Sequence, residues 1–168
     1  LDKFTELTAE LTAELTARKK QYEFYRDKLI LEQENVEYKT LGEIATITRG
    51  GNFQKKDFTS TGTPCIHYGQ IYTKYDIYAN ETFTFISKSV ADKSKKAVHN
   101  DIVMAITSEN IEDVCKCVAW LGNEDIAVSG HTAIIHHNQN AKYLSYFFHT
   151  KCFREKKRSM PMVQKLLK

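Results

Sequence analysis

Two prolines and seven glycines are the only strong breakers of regular structure among 168 residues, and every glycine lies beyond residue 41. So few breakers exclude a collagen-like or proline-rich disordered chain, and a hydrophobic content of 42% suits a globular protein with a real core. No apolar run approaches the roughly 20 residues that a membrane-spanning helix needs, so no membrane partner is expected. The first residues alternate charge with leucine and do not resemble a secretory leader, which leads to a cytoplasmic expectation. Cysteine is scarce too. Cys65, Cys115, Cys117 and Cys152 lack the dense spacing of a disulfide framework and read as reduced thiols.

Catalytic signatures are also missing. There is no Asn-Pro-Pro-Tyr motif to hold a flipped adenine, no glycine-rich loop after a strand for S-adenosylmethionine or a nucleotide, and no Walker loop. Cys115 and Cys117, taken as facing one way on a strand, together with His131 or the His136-His137 pair, raise a metal site as an alternative. A second short-spaced Cys/His pair is lacking, so packed cysteines are the better reading. Asp101, Glu109, Glu112 and Asp113 lie near Lys116 but have no positioned Glu-x-Lys pair and read as acidic turns. No catalytic residue, metal or cofactor is assigned.

What is present begins with a repeat. Glu-Leu-Thr-Ala occurs three times in succession, from Glu6, Glu10 and Glu14. From Asp2 to about Glu34 neither Gly nor Pro interrupts a composition rich in Ala, Leu, Glu, Lys and Arg, so a helix of about 30 residues, roughly 45 Å long, is predicted. Read in heptads from Leu1, the seam is Leu1, Phe4, Thr8, Leu11, Leu15, Arg18, Tyr22, Tyr25 and Leu29. Seven of these nine are apolar or aromatic, a face that calls for a partner helix. A four-residue unit is not a heptad. Each copy advances the helix by about 40° beyond one turn and lengthens it by about 6 Å, so Leu7, Leu11 and Leu15 drift across the seam.

The texture changes near Val36, where a second domain running to residue 168 is expected after a helical region at 1–35. Short turn-bounded strands are predicted at Glu43–Gly50, Pro64–Gly69, Thr82–Ile86, Asp101–Thr107, Cys115–Leu121, Asp125–Ser129 and His131–His137. A single amphipathic helix over Ala141–Arg158 follows. The fold class is α+β: a long N-terminal coiled-coil helix followed by a mixed α/β domain. Net charge is +3 but unevenly spread: residues 142–168 hold eight Lys or Arg against one acid. Lys93–Lys96 (KSKK) and Arg49–Lys56 (RGGNFQKK) form smaller basic clusters.

Several motifs in order resemble one known family. LDKFTELT, RKKQYEFYRDKLI, LGEIATITRGG, HNDIVMAITSENIEDV, EDIAVSGHTAII and KYLSYFFHTKCF look like the specificity subunit of type I restriction-modification systems. The likeness is to one conserved helical region followed by one target recognition domain. It implies a non-catalytic subunit that reads double-stranded DNA and works with modification (methyltransferase) subunits and, through them, restriction subunits. In that family, long helices pair antiparallel to set the distance between two recognition domains, and short tandem repeats act as a ruler. The chain departs from the pattern in carrying Asn100 where Gly is usual, and one helical region and one recognition domain where a whole subunit has two of each. It is therefore expected to act as a half subunit and to form a homodimer. MVQKLLK at the end also departs. CATGGTACAAAAGTTATTGAAA reads His-Gly-Thr-Lys-Val-Ile-Glu in one frame and Met-Val-Gln-Lys-Leu-Leu-Lys in the next, so a frameshifted or truncated product beyond Pro161 is expected.

Base edges are read by amide and guanidinium groups, and phosphates by Lys, Arg and hydroxyls, often from loops. Four loop-like segments qualify. The first offers Arg49, Asn52, Gln54, Lys55 and Lys56, and the second Tyr68, Gln70, Tyr72 and Lys74. The third, TSEN, offers Ser108 and Asn110 beside Thr107 and Glu109; the fourth, SGHT, offers Ser129, His131 and Thr132. Leu1, Phe4, Leu11, Leu15, Tyr22, Tyr25 and Leu29 are the expected helix interface. The rival reading is a helix-mediated protein adaptor without DNA binding.

Overall fold

A stretch free of glycine and proline gives one uninterrupted helix: α1 spans Asp2–Leu31. The computed structural model describes residues 2–34, 37, 39–108 and 113–158. The four-residue repeat is visible in the hydrogen bonds of α1. Thr8, Thr12 and Thr16 each donate Oγ1 to the carbonyl four residues earlier, at 2.7, 2.7 and 2.8 Å. The repeated hydroxyls are thereby satisfied within the helix itself.

Every described residue of α1 up to Tyr25 is exposed. Arg26 is buried, with Nε and Nη2 donating to Asp27 Oδ1 at 2.8 and 2.6 Å. Around it the last turns of α1 pack on α5 (Ala141–Phe148) and α6 (Lys151–Arg158). Asp27 Oδ2 accepts the Lys151 N–H at 2.8 Å, Arg154 reaches Glu23 at 3.3 Å, and the Tyr143 hydroxyl donates to the Ile30 carbonyl at 3.4 Å. The helix is held by its C-terminal part, and the rest projects.

Two five-stranded sheets form the body of the described residues. The first runs in the order β1 (Ala45–Arg49), β10 (Thr132–His137), β7 (Ile102–Ala105), β8 (Cys117–Trp120) and β4 (Tyr78–Ala79). The second is β2 (Phe58–Thr59), β5 (Thr84–Ile86), β3 (Thr63–Ile66), β9 (Ile126–Val128) and β6 (Lys96–Ala97). Neighbours are antiparallel except β3 with β9 and β4 with β8. Alternate residues of the central strands serve two cores. Val103, Val118, Trp120 and Ile134 pack with Ile66, Ile126 and Val128 of the second sheet and with Ile71. Ile102, Met104, Ala119 and Ile135 pack on the opposite side against Leu144 and Phe148 of α5. The central strands of the first sheet are covered on both faces, which explains the unbroken apolar run IVMA.

Four expectations change in detail. The strand expected from Glu43 begins at Ala45, because Leu41–Ile44 forms a helical turn, α2, in which the Thr40 N–H and hydroxyl both donate to Glu43 Oε2 at 2.6 Å. Tyr68–Thr73 is not an open loop but a short helix, α3, running into the body of the domain. The expected helix over 141–158 is two helices: the Thr150 hydroxyl donates to the Phe147 carbonyl at 2.7 Å and accepts the Phe153 N–H at 3.3 Å, turning the chain between α5 and α6. Cys115 does not share a strand face with Cys117. It lies before β8 in a left-handed turn at φ 66°, while Cys117 is buried.

Asn100 makes the tight turn that leads into β7. It adopts φ 72°, a region asparagine tolerates better than most residues. Its amide also ties two elements together, donating to Gln139 O at 2.7 Å and accepting Ala141 N–H at 3.1 Å. Asp101, beside it, is buried, accepts the Val98 N–H at 2.8 Å and lies 2.7 Å from His136 Nδ1. Its carboxylate is engaged in holding the turn.

Candidate nucleic-acid interface

The segments expected to read DNA meet where the two sheets join. β9 belongs to the second sheet and β10 to the first, so Ser129–His131 forms a corner between them. β1 leaves its sheet at the same corner: Gly50 N–H donates to Thr132 O at 3.0 Å and Gly51 N–H to Val128 O at 2.7 Å. A Cβ on Gly50 would stand 2.1 Å from the Ser129 carbonyl oxygen, so only glycine allows this crossing. Arg49 then closes the corner, its Nε donating to Gly130 O at 2.7 Å. The remaining guanidinium donors are left over for another acceptor.

Asn52 is exposed and sits beside Gly130, where an added Cβ would come 2.8 Å from Asn52 Oδ1. Phe53 turns inward and is buried, which anchors the loop between exposed Asn52 and exposed Gln54. Gln54 begins a 3-10 turn over Lys55–Asp57, with its N–H bonded to Asp57 Oδ2 at 2.7 Å. Lys55 and Lys56 are both exposed on that turn.

Aromatic rings connect this loop to α3. His67, which was not among the expected readers, is buried and packs against Phe58 and Tyr68 with ring centroids 5.8 and 4.5 Å away. Burial, then the neighbouring Lys55 and His131, hold its pKa below the usual histidine value. The ring is therefore neutral near pH 7, and its Nδ1 accepts the Gly69 N–H at 3.2 Å. Tyr68 is half-buried and stacks obliquely with exposed His131 at 5.1 Å. Tyr72 lies 6.4 Å beyond Tyr68. Burial pushes its phenol up to about 12, so it is a neutral donor, and it donates to Thr107 O at 2.6 Å. That bond brings the half-buried Thr107–Ser108 segment to the same face. Lys116, also outside the expected set, lies 6.0 Å over the Tyr72 ring and pairs with Asp113 at 2.8 Å.

Three expected readers are engaged inside the protein. Gln70 is buried, its Oε1 accepting His67 N–H at 3.0 Å and its Nε2 donating to Thr84 Oγ1 at 3.1 Å. Ser129 is buried and its Oγ accepts the Tyr68 N–H at 2.9 Å. Thr132 is buried too, and its hydroxyl donates to the Ser129 carbonyl. These side chains hold the corner. Lys74 is exposed but stands at the far end of α3, over the Phe83 ring at 5.3 Å. Asn110 and Glu109 lie outside the described residues. The result is a contiguous face of Arg49, Asn52, Gln54, Lys55, Lys56, Tyr68 and His131, bordered by Tyr72 and Ser108. No short motif announces His67 or Lys116; their place follows from packing across the sheet corner.

On α1, Phe4, Leu11, Leu15, Tyr22, Tyr25 and Leu29 are all exposed, as are Leu7 and Phe24; Leu1 lies outside the described residues. No described helix is long and apolar enough to cross a membrane.

A long helix leading into a two-sheet α+β domain is a fold this chain shares with solved subunits of type I restriction-modification systems. The solved HsdS subunit from Thermoanaerobacter tengcongensis matches over 98% of this chain and 46% of its own length, with a TM-score of 0.52 at 15% identity. A second chain, from a structure of complex assembly and conformational transition of the type I R-M system, matches 96% of this chain and 43% of its own, with a TM-score of 0.53 at 14% identity. In sequence, 56 residues, 33% of this chain, are 62% identical to the type I restriction enzyme EcoR124I/EcoR124II specificity subunit of Escherichia coli, a span equal to 14% of that relative. No protein-family profile matches the chain. The resemblance to type I specificity subunits thus holds in fold over nearly the whole chain and in sequence over a third of it. The chain spans less than half the length of the solved structures it matches.

Proposed function

We propose that this chain is a non-catalytic DNA-recognition half of a type I specificity subunit, reading one half-site with the sheet-corner face and docking modification subunits through α1. The observation that carries the reading is the convergence of four sequence-distant segments into one polar and basic face, in a fold shared with HsdS. The chemistry of that face suits duplex DNA. Asn52 and Gln54 carry amides that pair in bidentate fashion with adenine, and the free donors of Arg49 suit guanine O6 and N7. Lys55 and Lys56 suit phosphates, while Tyr68 and His131 offer ring faces and edges beside them. Gln70, Ser129 and Thr132 act one step back, by holding these groups in place.

Titrating the purified chain with duplex DNA across a range of salt tests the proposal. Affinity is expected to fall linearly in log K against log salt, with a slope near −0.9 for each phosphate contacted. The same preparation is expected neither to methylate nor to cleave DNA. A helix-mediated adaptor that binds protein alone would show no duplex binding even at low salt. That result would reject DNA reading.

A further inference from the structure

The basic segment Lys93-Ser94-Lys95-Lys96 is distant in sequence from the Arg49–Asn52 loop but touches it in the fold. A Cβ on Gly51 would stand 2.4 Å from Ser94 Cα and 2.6 Å from both Ser94 Cβ and Oγ. The two segments meet with room for no side chain at all. Val128 holds both of them: its carbonyl accepts the Gly51 N–H at 2.7 Å, and its N–H donates to Lys95 O at 3.2 Å.

The segment is also fixed from its own side. It leaves the short helix α4 (Lys88–Ala91) in a turn where Lys93 N–H donates to Val90 O at 3.2 Å and Ser94 N–H to Ala91 O at 3.0 Å. Ser94 Oγ donates to Val90 O at 3.2 Å, and β6 then pairs Lys96 with Ala127. A lysine cluster on such a frame has its backbone position set in advance.

Its charges are uncommitted. Lys93, Lys95 and Lys96 are exposed, and no ion pair among the described residues engages them. Some basic groups elsewhere are engaged, Lys116 with Asp113, Lys151 with Glu155 and Arg154 with Glu23. Between residues 88 and 96 four lysines stand against the single acid Asp92. Like charges held close without counter-charges repel, and a polyanion passing over them removes that repulsion.

From these observations we infer that Lys93–Lys96 is a phosphate-contacting arm of the DNA-reading face, with Gly51 as the positioning residue that locks it to the base-reading loop. The inference rests on the DNA-reading proposal above and adds a division of labour. The Arg49–Gln54 loop and His131 address base edges, while the Lys93–Lys96 arm holds the sugar–phosphate backbone beside them. Its contribution is the same for every DNA sequence.

The test uses the full chain and fluorescent duplexes of several unrelated sequences. Lys93→Ala combined with Lys95→Ala is expected to flatten the log K against log salt slope by about 2 and to weaken binding more than tenfold at about 0.1 M salt, equally for every duplex. Lys19→Ala combined with Lys20→Ala removes the same charge from α1 and is expected to leave the slope unchanged. Thermal melts confirm that both pairs are folded. A slope unaltered by the Lys93/Lys95 pair while the wild type binds, or an equal loss from both pairs, overturns the inference. Absence of wild-type binding at low salt overturns DNA reading itself.

Discussion

Ser129 and His131 stand two residues apart in the same turn and have opposite duties. Ser129 is 1% exposed, accepts the Tyr68 N–H with its hydroxyl, and bonds through its own backbone to Ile66 and Thr132. His131 is exposed and touches the corner through the Tyr68 ring. Removing a buried acceptor strands its donor, which costs about 1–3 kcal/mol, whereas trimming an exposed ring costs about 0.5 kcal/mol or less. Ser129→Ala is therefore expected to lower stability in urea denaturation by about 1–3 kcal/mol, and His131→Ala to change it little while weakening DNA binding. Equal stability losses in the two variants would contradict this assignment of roles. The residue types alone did not separate them, since serine, histidine and threonine are all competent readers. Burial made the separation, and burial depends on β9 and β10 belonging to different sheets.

At the scale of elements, α1 is a helix whose length and phase are set by its repeat. The threonines of the repeat bond to their own backbone, leaving the leucines to define the outer face. With about 100° per residue, Glu23, Asp27 and Ile30, which face α5 and α6, lie roughly 80–140° around the helix from the seam of Phe4, Leu11, Leu15, Tyr22 and Leu29. Arg26 lies only about 40° from it and sits over the Tyr22 ring at 5.7 Å. Docking on the domain and pairing with another helix thus use adjoining faces that meet at Tyr22 and Arg26. Deleting Glu10–Ala13 shortens α1 by about 6 Å and rotates everything before the deletion by about 40° relative to the domain. In cells supplying the modification subunit, methylome sequencing is expected to show a changed gap between half-sites with the same bases read. A change in the bases themselves would place recognition in α1 rather than at the sheet corner.

For the whole molecule, the expected consequence is association. Phe4, Leu7, Leu11, Leu15, Tyr22, Tyr25 and Leu29 are all more than half exposed, and each large side chain that becomes fully buried contributes roughly 1.5–3 kcal/mol. An apolar stripe along a projecting helix of about 45 Å is a surface that proteins cover. A second copy, antiparallel about a two-fold axis, would cover it and carry a reading face at each end, so the DNA target would be an interrupted palindrome. Light scattering at micromolar concentration is expected to give twice the 19.4 kDa chain mass. Leu11→Asp with Leu15→Asp is expected to return a monomer with the domain still folded, because neither residue touches it. A wild-type monomer would reject the homodimer.

Much of this architecture was legible from local pattern. Absence of breakers and the repeat specified α1, since helix hydrogen bonds close within four residues. Short apolar, β-branched runs between turn residues marked β7, β8, β9 and β10, since a strand buried on both faces reads as a continuous apolar run. The ordered motifs carried the resemblance to type I specificity subunits. Tertiary structure decided the rest. The turn at Leu41–Ile44 is itself local, closed by Thr40 and Glu43 three residues apart, whereas Tyr68–Thr73 became a helix whose Tyr68 N–H is held by distant Ser129. Gln70, Ser129 and Thr132 went inward, while Lys93–Lys96 came to rest on Gly51. Such choices depend on which distant strands become neighbours, and no short window of sequence contains the contacts that make them.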